Sequence, residues 1–390
     1  MSIPLSVERP GGIARLAWVD QLRTLVIVLV VNMHACVTYS HVGSWYVKEP
    51  PDPPLRITLA FAFWQGHLQS FFMGILFFVA GYFAHGSLER RGPAGFVRER
   101  LVRLGLPTLL YMLAVHPLIT LVINPNGDNL GSLAPAYARY LARGRFLAGT
   151  GPMWFTAALL IFSAVLAGWR SGRPAPPAAV ASSRPIPRPA AICAWALVLA
   201  GASFLVRTAQ PIGTSVLNMQ LAFFPQYILA FSAGVASARG GWFEPLARSA
   251  LARRAGWLGL ILGPVALAAV LAAGGILSGK GLGEFMGGWR FESLGLATWE
   301  QLAGVGLGLG ALAFCSGELD KPTPLSRWLA DRSFAVYLFH PVVLVLFTLA
   351  LRPVSTDPFL KVSMLTAAGL TGSFIAADIA RRIPGLRAIL

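Results

Sequence analysis

The chain has 390 residues, of which 55% are hydrophobic and 12% charged, with a mean hydropathy of +0.64. That composition excludes an ordinary soluble domain and places most of the chain in lipid. The formal net charge of +16 raises the question of a nucleic-acid partner, which the positions of the cations answer.

The first 18 residues are polar and the apolar run 19–39 is too long for a signal-peptide core, with no small-residue cleavage pattern behind it, so it is expected as an uncleaved helix. It carries Asp20 and Arg23 at one end and His34 in its interior, and ionisable groups within a span are functional candidates by default. At about 100° per residue, Arg23 and His34 fall within roughly 20° of one face and are about 16 Å apart in rise. The stripe reads as a polar path from one membrane face toward the middle.

Further apolar runs lie at 57–83, 104–123, 153–169, 190–205, 221–238, 257–277, 299–314, 334–351 and 360–379. The expected fold is an all-α, polytopic integral membrane bundle of about ten transmembrane helices, forming one domain over 1–390. Residues 170–189, rich in Pro, Ala, Ser and Arg, read as a disordered cytoplasmic linker between the fourth and fifth helices. The longest outer loop, 124–152, opens with Asn124, Asn126, Asp128 and Asn129 and continues with Tyr137 and Tyr140, turn-forming and then helical at the surface.

With the N-terminus inside, 21 of the 32 Lys and Arg fall in cytoplasmic segments and nine outside. This positive-inside bias puts both termini in the cytoplasm of a multi-pass inner (plasma) membrane protein. The basic excess orients the protein, and no nucleic-acid partner is expected. Cys36, Cys193 and Cys315 sit in or at the edge of spans with no CxxC or Cys/His spacing, so neither a disulfide framework nor a zinc site is indicated. No other metal and no bound cofactor is expected.

Within the spans, His67, Gln69 and Ser70 lie in the outer half of the second helix, with His67 at about the depth of His34. The two histidines read as neighbours, the competing role for His67 being packing against a carbonyl. Arg100 and Arg103 share a side of the third helix, a grip for phosphates or an anchor at the cytoplasmic boundary. Gly304, Gly306, Gly308 and Gly310 form overlapping GxxxG pairs for close helix packing rather than a nucleotide loop. In SFAVYLFHPVVLV, Tyr337 and His340 precede Pro341, whose missing N–H leaves the Tyr337 carbonyl without its helical donor.

In order along the chain, Arg23 through His34, FFVAGYF at 77–83, RERLVRLGLP, Pro152 with Trp154 and Phe155, and Tyr337 with His340 resemble motifs of the membrane acyltransferase type 3 family. Within it they resemble the osmoregulated periplasmic glucan succinyltransferase branch. The matching elements are that family's R-x10-H, FF-x-x-SGYF, basic third-helix start, P-x-WF and Y-x-x-H. One departure is Ala80, where the family has Ser before Gly81, so this chain has no hydroxyl there.

The resemblance implies an O-acyltransferase that moves an acetyl- or succinyl-type group from a cytoplasmic acyl-CoA-like donor to a carbohydrate hydroxyl at or beyond the outer face. A sugar hydroxyl is a weak nucleophile and needs a base, for which His34 is the candidate. Asp20 and Arg23 pair with each other or, through Arg23, hold the donor. Arg100, Arg103, Trp154, Tyr337, His340 and His67 are the candidate substrate-binding residues. A covalent acyl-histidine is a second route, and no GxSxG elbow competes as nucleophile. The alternative class is a secondary transporter, which also suits buried histidines and a proline-broken helix, although no motif repeats between the halves. A non-catalytic assembly subunit is a third, and it would tolerate loss of His34.

Overall fold

A computed structural model describes residues 16–123, 133–172 and 184–389. It is all-helical, and eight of its helices are long and apolar enough to cross a membrane. The chain begins with α1 (Ala17–Ser40) and α2 (Leu55–Arg100), which continues through π-helical turns, α3 (Leu106–Leu110) and α4 (His116–Val122). Then come α5 (Leu133–Ala142), α6 (Trp154–Ser171), α7 (Pro189–Ala209), α8 (Phe224–Gly240), α9 (Phe243–Ala247) and α10 (Ala250–Ala273). The last elements are α11 (Phe291–Glu318), α12 (Pro324–Leu351), α13 (Pro358–Arg382) and α14 (Leu386–Ile389).

Two differences account for eight helices where ten spans are expected. The second and third expected spans form one helical run, Leu55–Thr120, bent at Gly92, whose φ of 67° breaks the helix just before Pro93. The expected eighth span lies in α11, which Glu300, Gln301 and its glycines make less apolar than its neighbours. Its polar residues are turned to protein: Glu300 is buried against Arg207 of α7, and the buried Gln301 donates to the Glu300 carboxylate.

α1 lies inside the bundle, against α2, α12, α13 and α11, with Trp18, Leu22, Val26 and Val31 fully covered. α2 and α8 meet backbone to backbone: a Cβ on Gly81 would collide with the Phe231 carbonyl, and one on Gly234 with the Phe78 carbonyl. The FFVAGYF glycine is therefore a packing requirement. The α11 glycines divide between partners. Gly304 abuts the Ser70 carbonyl of α2, while Gly306 and Gly310 approach α10 near Gly259 and Gly256. Gly308 makes only an ordinary contact with Ile75.

Of the expected linker 170–189, α6 takes residues up to Ser171, and Pro189 opens α7. Residues 184–188 form neither helix nor strand, with the Arg184 N–H donating to the Gly240 carbonyl at 2.9 Å. Residues 173–183 lie outside the described residues. So do Asn124, Asn126, Asp128 and Asn129 of the outer loop, whose later part forms the expected helix as α5.

Candidate active site

The geometry starts from Pro341. Within α12 it has no N–H to give the Tyr337 carbonyl four residues back, and a carbonyl orphaned inside a membrane bundle must find another donor. It accepts from Nδ1 of His340, 2.8 Å away. In the neutral ring this leaves His340 Nε2 bare, and that nitrogen lies 3.1 Å from Nδ1 of His34 on α1. His34 accordingly donates from Nδ1 and keeps its own Nε2 bare. A proline thus sets, through two imidazoles, which nitrogen of His34 is available as a base.

His34 lines a cavity of about 550 Å³, whereas His340 is fully buried behind it. The walls come from the second half of α1, the α1–α2 loop, α2, α4, the start of α6, the segment leading into α8, α8 itself and α12, with Trp45, Gln69, His116, Trp154 and Tyr227 prominent. Trp45 stacks on His34 with ring centroids 4.1 Å apart and planes 18° from parallel. Its Nε1–H is buried without a hydrogen-bond partner among the described residues. On the opposite wall Trp154 stacks on Tyr227 at 5.4 Å, and Gln69 donates to the Tyr227 hydroxyl at 2.9 Å.

Two loops are tied together over this space. Leu217 and Asn218 both adopt left-handed φ values, 50° and 65°, in a tight turn closed by Val216 and Met219. The turn presents the Asn218 amide to Thr150 Oγ1 at 2.9 Å and the Gly151 carbonyl at 2.8 Å. A second polar chain lies nearby: Tyr111 and Tyr46 hydroxyls are 2.7 Å apart, and Tyr46 is 2.9 Å from His116 Nδ1. Burial pushes the Tyr46 phenol above its ordinary range, so it keeps its proton as a neutral group.

Of the residues singled out in the sequence, His34, Trp154 and Tyr337 line the cavity together, with Gln69 beside them. The Tyr337 hydroxyl is committed to the Pro152 carbonyl, so it ties the P-x-WF segment to α12. His340 contacts His34 rather than the cavity.

His67 is not a neighbour of His34. Gln69 faces the cavity, and two residues earlier, about 200° around the helix, His67 faces α10 and α11. There its Nδ1 is 2.7 Å from the Phe63 carbonyl, and its ring meets Trp299 edge-on at 5.0 Å. Equal depth did not mean equal face.

Asp20 and Arg23 pair at 3.7 Å at the other end of α1, with Arg23 about half exposed, and neither lines the cavity. Arg100 lies over the Phe96 ring at 5.0 Å, while Arg103 and Arg91 each approach Glu99 at 3.4 Å near the Gly92 bend. Both Arg100 and Arg103 are remote from the cavity lining.

Sequence reasoning missed Trp45, Tyr46, His116, Asn218 and Tyr227. For His116 a signal was present: His116-Pro117 repeats the His340-Pro341 dipeptide inside another apolar run. Also missed was a buried ion pair. Arg207, one of the nine cations counted outside, is fully buried at the end of α7, with one terminal nitrogen 2.9 Å from both Glu300 carboxylate oxygens and Nε donating to the Ala222 carbonyl at 3.3 Å. Its guanidinium also covers Phe223, a cavity wall residue. A glutamate inside an apolar run was the visible clue.

The structure is thus a polytopic helical bundle with a hydrogen-bonded imidazole on the wall of a polar and aromatic cavity. The acyltransferase-domain family matches residues 16–378, and the chain belongs to that family. It is a membrane acyltransferase, working with an acyl donor and an acceptor in a lipid bilayer. No curated protein and no solved structure matches the chain.

Proposed function

We propose that this protein transfers an acetyl- or succinyl-type group from a cytoplasmic acyl-CoA-like donor to a hydroxyl of an envelope or periplasmic glycan, with His34 as general base. The observation that carries this reading is His34 on the cavity wall with its Nδ1 3.1 Å from His340 Nε2, from which we assign the proton to Nδ1 and the base to Nε2. The acceptor hydroxyl gives its proton to Nε2 as its oxygen attacks the thioester carbonyl carbon. Collapse of the tetrahedral intermediate breaks the C–S bond. The thiolate leaves and takes the proton back from His34, giving an ester and a free thiol. The Trp45 indole N–H, beside the base and without another partner among the described residues, is a donor for the developing oxyanion.

A glycan acceptor is supported by the cavity's aromatic faces and amides, Trp45, Trp154, Tyr227, Gln69 and Asn218, and by the ordered likeness to glucan succinyltransferases. The cavity opens among the loops at the end of the bundle where α1 finishes and reaches to mid-helix at Val30 and Tyr337, away from the Asp20–Arg23 pair. With the cations as distributed, that end is the outer side of the inner membrane and both termini are inside. Arg23 then sits at the inner face of the bundle, where we place its planar fork on an anionic part of the donor. Arg100 and Arg103 add positive charge at the same face.

The test is the mass of envelope glycans from cells with and without the protein, and with His34→Ala or His34→Gln at equal protein level. The expected result is an acyl increment that requires the protein and disappears in both variants. Wild-type acylation in either variant would reduce His34 to a packing residue. A transporter would leave no covalent increment.

A further inference from the structure

The cavity holds a second imidazole whose hydrogen bonding is the reverse of that of His34. His116 opens α4 and lines the same space, and its Nδ1 is 2.9 Å from the Tyr46 hydroxyl, itself 2.7 Å from the Tyr111 hydroxyl. Two directions of donation are possible along this chain. If His116 Nδ1 donated to Tyr46, then either Tyr46 would donate to Tyr111, leaving the fully buried Tyr111 hydroxyl with a proton and no acceptor, or Tyr111 would also donate to Tyr46, leaving the Tyr46 proton without a protein acceptor among the described residues. Buried hydroxyl protons are rarely left so. In the other direction Tyr111 donates to Tyr46, Tyr46 donates to Nδ1, and every phenolic proton is used.

The neutral Tyr46 phenol suits that second role. His116 then carries its proton on Nε2, which has no protein partner among the described residues and is not among the buried unpartnered atoms. Trp45 and Tyr46 link the two imidazoles within one short loop: Trp45 stacks on His34, and Tyr46 fixes His116. One cavity therefore presents a bare nitrogen from His34 and an N–H from His116. A hydroxyl-bearing acceptor needs both, an acceptor for the reacting proton and a donor to an oxygen lone pair that sets its register.

We infer that His116 is an acceptor-binding residue, its Nε2–H locked in place by the Tyr111–Tyr46 hydroxyl chain and donating to a ring or hydroxyl oxygen of a polyhydroxy acceptor held against His34. This rests on the glycan reading above. It assigns His116 no proton transfer, and Tyr46 and Tyr111 are positioning residues.

The test joins two measurements. In the full-length protein labelled with 15N-histidine and purified in detergent, the His116 signals, identified by their loss in His116→Gln, are expected to show a protonated Nε2 and a bare Nδ1. Tyr46→Phe should abolish that preference. Addition of oligosaccharide extracted from cells lacking the protein, used as the probe, should shift the Nε2–H signal.

With the purified protein, acetyl-CoA or succinyl-CoA and the same extracted oligosaccharide at varied concentration, and the acyl increment read by mass, His116→Leu is expected to raise the acceptor concentration needed for half-maximal acylation about tenfold, the effect of one hydrogen bond. His116→Gln, which keeps an N–H at about the Nε2 position but cannot titrate, should recover most of it, whereas His34→Gln should not. A His116 protonated on Nδ1, or His116→Leu acylating with wild-type acceptor dependence, would overturn the assignment. Loss of activity in His116→Gln equal to that in His34→Gln would overturn it too, by making His116 a proton-transfer group. Failure of the glycan reading itself shows separately, as no increment in wild-type cells and no probe-induced shift in any histidine.

Discussion

Replacing His340 with leucine isolates the contribution of the second imidazole. The change removes the imidazole acceptor of the His34 Nδ1–H, which sits 3.1 Å away in a fully buried place, and leaves the ring only the backbone of Val30 one turn back. A buried donor left without its partner costs about 1–3 kcal/mol. His34 can avoid that cost by rotating or by moving its proton to Nε2, and both remove the base. Charged wholly to the barrier, that is about a 5- to 150-fold loss of turnover at 1.36 kcal/mol per tenfold. Removing the base itself in His34→Ala should cost about 10²–10⁴.

The same leucine also orphans the Tyr337 carbonyl, which His340 Nδ1 serves because Pro341 cannot. The double variant His340→Leu/Pro341→Ala returns a backbone N–H to that carbonyl. It should recover protein level without recovering activity. The assay is acyl increment per unit of protein, read alongside thermal unfolding in detergent. Wild-type turnover in His340→Leu would refute the tautomer argument, and a loss as deep as that of His34→Ala would mean His340 itself meets the substrate.

Arg23→Lys is expected to weaken donor binding and Arg23→Ala to nearly abolish transfer, because lysine keeps the charge but not the fork. Calorimetric titration with acetyl-CoA and succinyl-CoA checks this, and His34→Ala should bind either donor as the wild type does. Arg207→Met should cost about 3–5 kcal/mol by leaving Glu300 buried and unpaired, lowering the detergent melting temperature, while Arg207→Met/Glu300→Met should regain most of it. In a Cys193→Ser background, cysteines at Ser44 and Arg184 should label from opposite sides of the membrane, and labelling of both from one side would reject the topology.

Much of the bundle was legible because lipid imposes a simple rule: long apolar runs become helices whatever their partners. The first run and α1 nearly coincide, and Pro341 announced its orphaned carbonyl without any coordinates. What the sequence could not supply was azimuth between helices. His67 and Gln69 are two residues apart, yet one faces α11 and the other the cavity. Loop residues were invisible for a different reason: Trp45, Tyr46 and Asn218 have no periodicity to read, and their positions follow from how three separate connections fold over one end. Arg207 misled because a cation just beyond an apolar run looks like an interfacial anchor until its glutamate, 93 positions later, is known to be opposite it.

The glycine seam between α2 and α8 has a consequence for genetics. Random mutagenesis followed by a screen for lost acylation would return Gly81 and Gly234 as readily as His34, since any larger residue there drives one backbone into another. The two classes separate on a blot. Alleles of the seam should deplete the protein from the membrane, and second-site suppressors should be rare, because the atoms in conflict are main-chain ones that no compensating side chain can withdraw. Alleles at His34 should leave a full-strength, silent band.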